Sequence, residues 1–291
     1  MYIKSIFSKS VENLQVEDVT TLDRKLVVLD VGCRWGFAEK FKQNQEQFHI
    51  YGFDPDTQEC ELLSERYAGQ PVTIVPLGLA GHSGRRTLYL TRQPACSSLL
   101  EPDPELTNNY PALQCASHVS TAQVDTVTLD SWAEENGVRA IDHIKIDTQG
   151  TELEILKGGA RSLQLVRSLE VEVEFNPIYL GQPVFSDVDQ YLRSQGFVLW
   201  KLTNHVHYSW DGSTDAPIGE DFICYDEKHR LHHPIYGGQL YWANAHYIKK
   251  SVLSPTINSL AQIRRDIVLF QALGMPDVTS RNGQVGITPR R

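Results

Sequence analysis

Short apolar runs alternate along the chain with longer stretches in which apolar residues recur every three or four positions. The runs Leu26–Val31 and Phe48–Phe53 predict buried parallel strands, because strands covered on both faces form nearly continuous apolar segments. Further strands are predicted at Val72–Val75 and at residues 86–90, 124–129, 143–147, 168–175 and 197–202. Strands that alternate with helices indicate an α/β fold, in which helices cover both faces of a mostly parallel sheet.

Helical spacing and local start and stop signals place the helices. Gly36 is expected to open the first helix, which carries Phe37 and Phe41 along one side. Pro55 suits the first helical position of the second, because proline lacks the N–H that is unpaired there anyway. Further helices are predicted around Trp132, between Gly150 and Gly158, along Phe185, Val188 and Leu192, and near the C-terminus with Leu260, Ile263, Ile267 and Phe270 on one face.

Two regions depart from this alternation and suggest a domain division. Residues 93–121 contain four prolines and little periodicity, which is typical of a lid, a substrate-binding loop or a disordered segment. The sequence beyond Asn204 is rich in aromatic residues and histidine. We expect an N-terminal extension at residues 1–25, a main domain at residues 26–250 and a C-terminal helical extension at residues 251–291.

Composition excludes several classes of protein. The 291 residues are 41% hydrophobic and 22% charged, which is ordinary for a globular chain, and the net charge of −9 argues against general nucleic-acid binding. No run of 18 apolar residues predicts a membrane span, and the N-terminus lacks the apolar core of a signal peptide. The five cysteines form no C-x-x-C pair, so free thiols and a cytoplasmic location are expected.

The stretch L-D-V-G-C-R-W-G, at residues 29–36, places a glycine turn directly after the first strand. Asp54 ends the second strand 22 residues after Gly32, which is where an acid holds ribose hydroxyls in nucleoside sites. Arg34 stands where a dinucleotide site would have its middle glycine, and no phosphate-binding loop occurs. Asp30 would repel a pyrophosphate but suits the cationic end of an amino-acid-bearing nucleoside. The pattern therefore favours S-adenosylmethionine.

Several segments resemble one family. DVGCRWG, YGFDPD, VPLGLAG, VDTVTLD, IDHIKIDTQGTELEIL and SLEVEVEF stand in the order seen in FkbM-family methyltransferases, and the similarity runs from about Leu26 to Leu202. The resemblance implies a Rossmann-like, seven-stranded class I methyltransferase sheet. It also implies an S-adenosylmethionine-dependent O-methyltransferase.

The resemblance assigns cofactor-binding roles to individual residues. Asp54 would hold the ribose, Leu79 would lie near the adenine, and Asp147 would face the transferring methyl group. The turn on the methionine side would consist of Asp30, Gly32, Cys33, Arg34, Trp35 and Gly36.

A hydroxyl acceptor must lose its proton, to a base or with the help of a metal ion. Strand alternation puts Lys145 and Asp147 on one face, and Glu172 and Glu174 on one face of the neighbouring strand. The candidate catalytic residues are Asp147, Glu152, Lys145 and His118. Asp147, Glu172 and Glu174 could bind Mg²⁺ through oxygen atoms or raise one another's pKa.

Simpler interpretations stay open for several candidates. Lys145 could neutralise Glu172 or Glu174 in a structural ion pair. Glu152 could stabilise the start of its helix, and His118 could be a solvated loop residue. The aromatic residues beyond Asn204 could stack on sugar rings, although core packing is more usual.

Two functions from different classes follow from the sequence. The first is an S-adenosylmethionine-dependent O-methyltransferase that acts on a hydroxyl of a sugar, glycan or related secondary metabolite. The alternative is another nucleotide-binding Rossmann protein, either an NAD-dependent enzyme or a non-catalytic binding module. In both cases the expected partner is a small molecule or glycan, with no nucleic acid and no membrane span.

Overall fold

The computed structural model describes residues 22–42, 44–209, 217–224, 230–254 and 259–280, so most of the predicted N-terminal extension lies outside the described residues. The strands are β1 (Leu26–Val31), β2 (Phe48–Phe53), β3 (Val72–Val75), β4 (Gly78–Leu79), β5 (Gly84–Thr91), β6 (His118–Val127), β7 (His143–Ile146), β8 (Ser168–Glu174), β9 (Phe197–Tyr208), β10 (Pro217–Cys224), β11 (Arg230–Tyr236) and β12 (Gln239–Lys249). The α-helices are α1 (Glu39–Lys42), α2 (Thr57–Arg66), α3 (Pro104–Asn109), α4 (Leu129–Glu135), α5 (Glu152–Gly158), α6 (Phe185–Ser194), α7 (Leu260–Ala272) and α8 (Asp277–Ser280).

Seven strands form the main sheet in the order β3-β2-β1-β7-β8-β12-β9. The first five of these pair in parallel, whereas β12 runs antiparallel to both β8 and β9. The predicted α/β class and the mostly parallel seven-stranded sheet are therefore confirmed. This arrangement places the carboxyl ends of β1, β2, β3, β7 and β8 along one edge of the sheet.

The prediction that residues 86–90 and 124–129 continue the parallel sheet was wrong. They belong largely to β5 and β6, which pair antiparallel in a separate three-stranded sheet of order β4-β6-β5. Both strands are mostly exposed or half-buried, unlike the central strands β1, β7 and β8 of the main sheet. This burial pattern is typical of antiparallel strands with one solvated face.

Residues 93–121 are more regular than their proline content predicts. The segment contains short 3₁₀ helices at Pro94–Cys96 and Pro111–Ala116, helix α3, and the start of β6. Asp103 caps α3 by accepting the Glu105 N–H at 2.8 Å, and Pro104 occupies the first turn. The predicted role of this segment as a lid or substrate-binding loop stays a prediction.

Two helices begin later than predicted. Gly36 has φ +106°, which no α-helix uses, and α1 begins only at Glu39. The second helix begins at Thr57 rather than at Pro55, and Asp56 caps it by accepting the N–H groups of Gln58 and Glu59. Capping carboxylates are favoured here because the first backbone N–H groups of a helix have no internal partner.

The hydrophobic core lies on both faces of the main sheet. Alternate residues of β1 divide between two clusters, with Leu29 and Val31 on one face and Leu26 and Val28 on the other. Helix α7 closes the second cluster through Phe270 and its neighbours, although Leu260, predicted on its buried face, is 47% exposed. Within the described ranges, no helix combines the length and hydropathy needed to cross a membrane.

Candidate active site

A cavity of about 390 Å³ lies across the carboxyl ends of the parallel strands. It extends from the residues after β3 past β2 and β1 to the polar residues after β7 and on β8. Ligands of open α/β sheets bind at this edge, where loops leave the strands in opposite directions. Representative lining residues along its length are Leu79, Asp54, Gly32, Asp147, Glu174 and Trp242.

The turn after β1 requires glycine at position 32. Gly32 has φ +80°, and a Cβ there would overlap the carbonyl oxygen of Asp147. The N–H groups of Gly32 and Cys33 both donate to the carbonyl oxygen of Phe53, at 2.9 and 3.1 Å. The turn thus packs against the ends of β2 and β7, and this close approach leaves no space for a side chain.

Asp54 lies at the end of β2, lines the cavity and is 4% exposed. Its Oδ1 accepts the N–H of Asp56 at 2.8 Å, which leaves Oδ2 without a hydrogen-bond partner among the described residues. Burial raises the pKa of Asp54, although the Asp56 N–H and the nearby Arg34 favour the charged form. A buried carboxylate with one oxygen available is suited to accept a hydrogen bond from a ligand hydroxyl.

Lys145 bridges two carboxylates at the centre of the sheet edge. Its Nζ lies 3.3 Å from Asp30 Oδ1 and 3.4 Å from Asp147 Oδ2, so the alternative pairing with Glu172 or Glu174 was wrong. Burial raises the pKa of Asp30 to about 6, against the attraction of Lys145. Burial alone would lower the pKa of Lys145, but Asp30 and Asp147 raise it above its ordinary value. The ammonium therefore stays charged and holds Asp147 in place.

Asp147, Glu172 and Glu174, which we call the acidic cluster, line the cavity together. Glu172 and Glu174 are 8% and 3% exposed, and burial, reinforced by repulsion from one another, Asp147 and Glu152, raises the pKa of each well above the usual range. Glu172 and Glu174 therefore retain protons at a pH where exposed glutamates are ionised.

Replacing Glu174 with glutamine is expected to raise the melting temperature by roughly 2 °C or more at pH 8, which corresponds to about 1 kcal/mol. The raised pKa means that the folded state binds more protons than the unfolded state, so stability falls as pH rises above the unfolded pKa of about 4.3. Because glutamine does not titrate, the gain in melting temperature should vanish near pH 4. Thermal unfolding of both proteins between pH 4 and pH 8 measures this difference. The exposed substitution Glu61→Gln is the control, and a gain that is independent of pH would contradict the explanation.

Gln149 connects two members of the acidic cluster, Asp147 and Glu172. It was not among the predicted site residues. Its Nε2 donates to Asp147 Oδ1 at 3.1 Å and to Glu172 Oε2 at 2.6 Å. The residue has φ +60°, an uncommon conformation for a side chain-bearing residue, and its carbonyl oxygen accepts the Ser98 hydroxyl at 2.6 Å. The only sequence signal was its position in the polar D-T-Q-G turn after β7.

The comparison with protein families decides the identity of the fold and its chemistry. The family described as "Methyltransferase FkbM domain" matches residues 30–199. The chain belongs to the FkbM methyltransferase family. Membership decides between the two predicted functions in favour of the methyltransferase.

This FkbM methyltransferase is similar to two curated proteins and to solved structures. It is 25% identical over 197 residues to the 2-O-methyltransferase NoeI of Sinorhizobium fredii, covering 61% of this chain and 79% of that protein. It is 27% identical over 165 residues to the hexuronic acid methyltransferase AglP of Haloferax volcanii, covering 54% of this chain and 63% of that protein. Among solved structures, the magnesium protoporphyrin IX methyltransferase of Synechocystis has 12% identity and a TM-score of 0.38, with 85% of this chain and 77% of that chain covered.

Most residues of the predicted cofactor set line the cavity of this FkbM methyltransferase. These residues are Gly32, Arg34, Trp35, Asp54 and Leu79. Trp35 is 62% exposed with φ +70°, and its backbone is held by Glu59, which accepts its N–H, and by Arg66, which donates to its carbonyl oxygen.

The other predicted cofactor residues lie outside the cavity lining. Asp30 contacts Lys145 instead, and the Cys33 side chain is 1% exposed and packs in the core against Gly52. Burial raises the pKa of the Cys33 thiol. At Gly36, a Cβ would clash with the Tyr67 hydroxyl, so this glycine serves the packing of the turn on α2. These residues belong to the glycine turn after β1, but the sequence does not specify the direction of each side chain.

Two of the four predicted catalytic residues, Asp147 and Lys145, line the cavity, and two do not. Glu152 is buried and its Oε1 accepts the N–H groups of Thr148 and Gly150, at 2.8 and 3.2 Å. This geometry supports the alternative interpretation that Glu152 stabilises the turn before α5. His118 begins β6, is exposed, and packs its ring against Tyr89 at a centroid distance of 5.6 Å.

The predicted Mg²⁺ site has no support in the geometry. Across the described ranges, no group of three or more histidine, cysteine, aspartate or glutamate residues is arranged to hold a metal ion. Asp147 and Glu172 instead share the amide of Gln149, while Glu174 lies further along β8.

The aromatic residues beyond Asn204 divide between the core and the cavity. Trp242 and Tyr208 line the cavity, at the point where β12 and β9 reach the same sheet edge. Tyr241 is 2% exposed and packs against Tyr208 with ring centroids 5.0 Å apart. Trp210 and Tyr225 lie outside the described residues.

Proposed function

We propose that this FkbM methyltransferase transfers a methyl group from S-adenosylmethionine to a hydroxyl group of a sugar or a related polyhydroxylated metabolite. The observation that carries the proposal is one continuous cavity, which joins the glycine turn and Asp54 to the acidic cluster. The names of the two curated relatives, a 2-O-methyltransferase and a hexuronic acid methyltransferase, support a sugar acceptor. The negative net charge favours a small molecule or glycan over nucleic acid, and cysteine usage favours a cytoplasmic location.

The cavity residues fit the cofactor by their chemistry. Asp54 would accept hydrogen bonds from the ribose hydroxyls, Leu79 would contact the adenine, and the glycine turn would hold the methionine portion. When bound, S-adenosylmethionine supplies an electrophilic methyl group on a sulfonium.

Asp147 is the proposed base. In the reaction, the methyl–sulfur bond breaks, a bond forms between that methyl carbon and the acceptor oxygen, and the hydroxyl proton moves to Asp147. Lys145 and the Gln149 amide hold the two Asp147 oxygens, which orients the carboxylate towards the cavity. Positioning supplies much of the rate in such a displacement, and a positioned base contributes about 10²–10⁴-fold more.

Replacing Asp54 with asparagine is expected to weaken S-adenosylmethionine binding by about 10- to 100-fold. A hydrogen bond to a charged group contributes about 1.5–3 kcal/mol, and asparagine keeps the acceptor for the Asp56 N–H. Titration calorimetry with S-adenosylmethionine and S-adenosylhomocysteine measures the change. The control is Asp125→Asn, which alters an exposed ion pair with Arg85. An unchanged dissociation constant in a folded Asp54→Asn protein would remove Asp54 from the proposed ribose site.

A further inference from the structure

Two cysteines that the proposed reaction does not use lie together in the wall of the cavity. Cys96 and Cys115 both line it, are half-buried and carry free thiols. Backbone hydrogen bonds join their segments, because the Gln93 N–H donates to the Cys115 carbonyl oxygen at 2.9 Å and the Cys96 N–H donates to the Gln93 carbonyl oxygen at 2.8 Å. The two thiols also interact directly. The fold therefore brings a pair of thiols, which we call the thiol pair, to the surface of the cavity.

The thiol pair differs from the cysteines of the core in acidity and exposure. The Cys96 thiol, as a hydrogen-bond donor, lowers the pKa of Cys115 below its ordinary value, and the same interaction raises the pKa of Cys96. Cys33 and Cys60 are 1% and 3% exposed, and burial raises the pKa of each. Because the thiolate is the nucleophilic form of cysteine, Cys115 should react before either core cysteine.

We propose that Cys96 and Cys115 are a redox-active pair that reacts with low-molecular-weight disulfides, and that the internal disulfide so formed lowers methyl transfer. The Cys115 thiolate attacks one sulfur of the reagent, which breaks the S–S bond of the reagent and releases one thiolate. Cys96 then loses its proton and attacks the Cys115 sulfur of the mixed disulfide, which releases the second reagent sulfur as a thiol. Two protein sulfurs are oxidised, and one reagent disulfide is reduced. Disulfides that form in a reducing compartment are usually transient and redox-sensing.

The backbone of Cys96 is connected to the proposed base. Its carbonyl oxygen accepts the Tyr179 hydroxyl at 2.6 Å, and the same hydroxyl lies 3.2 Å from Gln149 Oε1. Gln149 Nε2 in turn donates to Asp147 Oδ1 at 3.1 Å. A covalent S–S bond is much shorter than the contact between two thiols, so oxidation must draw Cys96 towards Cys115. That movement would displace Tyr179 and Gln149, which hold Asp147 in place.

The effect on turnover rests on the proposed function, whereas the thiol chemistry does not. The test therefore measures both. The full chain is treated with oxidised glutathione, its remaining thiols are blocked, and its peptides are mapped by mass spectrometry without reduction. We expect a disulfide between Cys96 and Cys115, which dithiothreitol reverses, and no modification of Cys33 or Cys60 in the folded protein.

The same samples are assayed for methyl transfer to the methyl glycosides of glucose and glucuronic acid. We expect oxidation to lower kcat by at least roughly tenfold, since a displacement of about 1 Å near the reacting atoms can cost about 10²-fold. Affinity for S-adenosylhomocysteine, measured by calorimetry, should stay unchanged, because the proposed cofactor residues lie on β1 and β2 and after β3. Dithiothreitol should restore kcat.

Three variants, each compared with itself before and after oxidation, test the order of attack. Cys96→Ser should accumulate the mixed disulfide of glutathione on Cys115, because the second thiol is missing. Cys115→Ser should lose the response of kcat to oxidised glutathione. Cys224→Ser is the matched control, which makes the same chemical change at a cysteine of β10 and should keep the full response.

The outcomes separate this inference from the proposed function. Cys96 and Cys115 that stay reduced, or that pair with other cysteines, would overturn the inference, as would their disulfide with an unchanged kcat. A full response of kcat in Cys115→Ser would overturn it too. Reduced protein without methyl transfer would overturn the proposed function and the effect on turnover, while the peptide map would still decide the thiol chemistry.

Discussion

Replacing Asp147 with asparagine is expected to lower kcat by about 10²–10⁴-fold, while the dissociation constant of S-adenosylmethionine changes by less than about threefold. Asparagine keeps the shape of the side chain and can still contact Gln149, but it cannot accept the acceptor proton. Single-turnover transfer of a labelled methyl group measures the chemical step, and calorimetry measures cofactor binding. The effect should be among the largest of any single substitution in the cavity.

The control for this experiment is Asp125→Asn, which makes the same chemical change at an exposed position on β6. It should leave turnover, cofactor affinity and melting temperature unchanged. If Asp147→Asn lost cofactor affinity in proportion to its loss of turnover, Asp147 would serve binding instead of proton transfer, and the proposed base would have to be sought elsewhere in the acidic cluster.

Replacing Gly32 with alanine is expected to abolish measurable S-adenosylmethionine binding and to destabilise the fold by about 3 kcal/mol. The new methyl group would overlap the carbonyl oxygen of Asp147, in a backbone conformation that disfavours any side chain. Relief of this overlap must separate the end of β1 from the end of β7. Such a movement would displace the turn and Asp147 together.

Gly69→Ala provides a closely matched control. Gly69 has φ +78°, close to the +80° of Gly32, but a Cβ at Gly69 would meet no atom within 4 Å. The Gly69→Ala substitution should therefore lower the free energy of unfolding by only about 1–2 kcal/mol, which is the cost of a side chain in this backbone conformation. It should leave cofactor affinity unchanged. Equal destabilisation of the two variants, with cofactor binding retained in both, would show that the close approach at Gly32 is not required.

Much of the fold could be predicted because it depends on local patterns. The strands β1, β2, β3, β7 and β8 are short apolar runs followed by turn residues, and their assignment depends on a few neighbouring positions. The carboxyl ends of parallel strands lie at the same edge of a sheet, so a parallel sheet predicts that the acids at these strand ends lie close together. Gly32, Asp54 and Asp147 could therefore be predicted to lie at one edge of the sheet, and all three line the cavity.

The unpredicted parts depend on contacts between distant residues. The pairing of β5 with β6 joins segments separated by the whole of residues 92–117, and the insertion of β12 between β8 and β9 brings Trp242 to the cavity. No local pattern specifies either pairing, since half-buried strands are compatible with many partners. Gln149 was missed for the same reason, because its importance depends on its bridging of two strands.

The sequence by itself determined the class of fold, the glycine turn and the acids at the strand ends, because backbone conformation and burial follow from residues close together in the chain. The tertiary structure alone decided which partner each charged group has. Lys145 pairs with Asp30 and Asp147, Glu152 stabilises a turn, and Cys33 faces the core. Strand order and register set the contact between Asp30 and Lys145, which joins residues 115 positions apart in the chain.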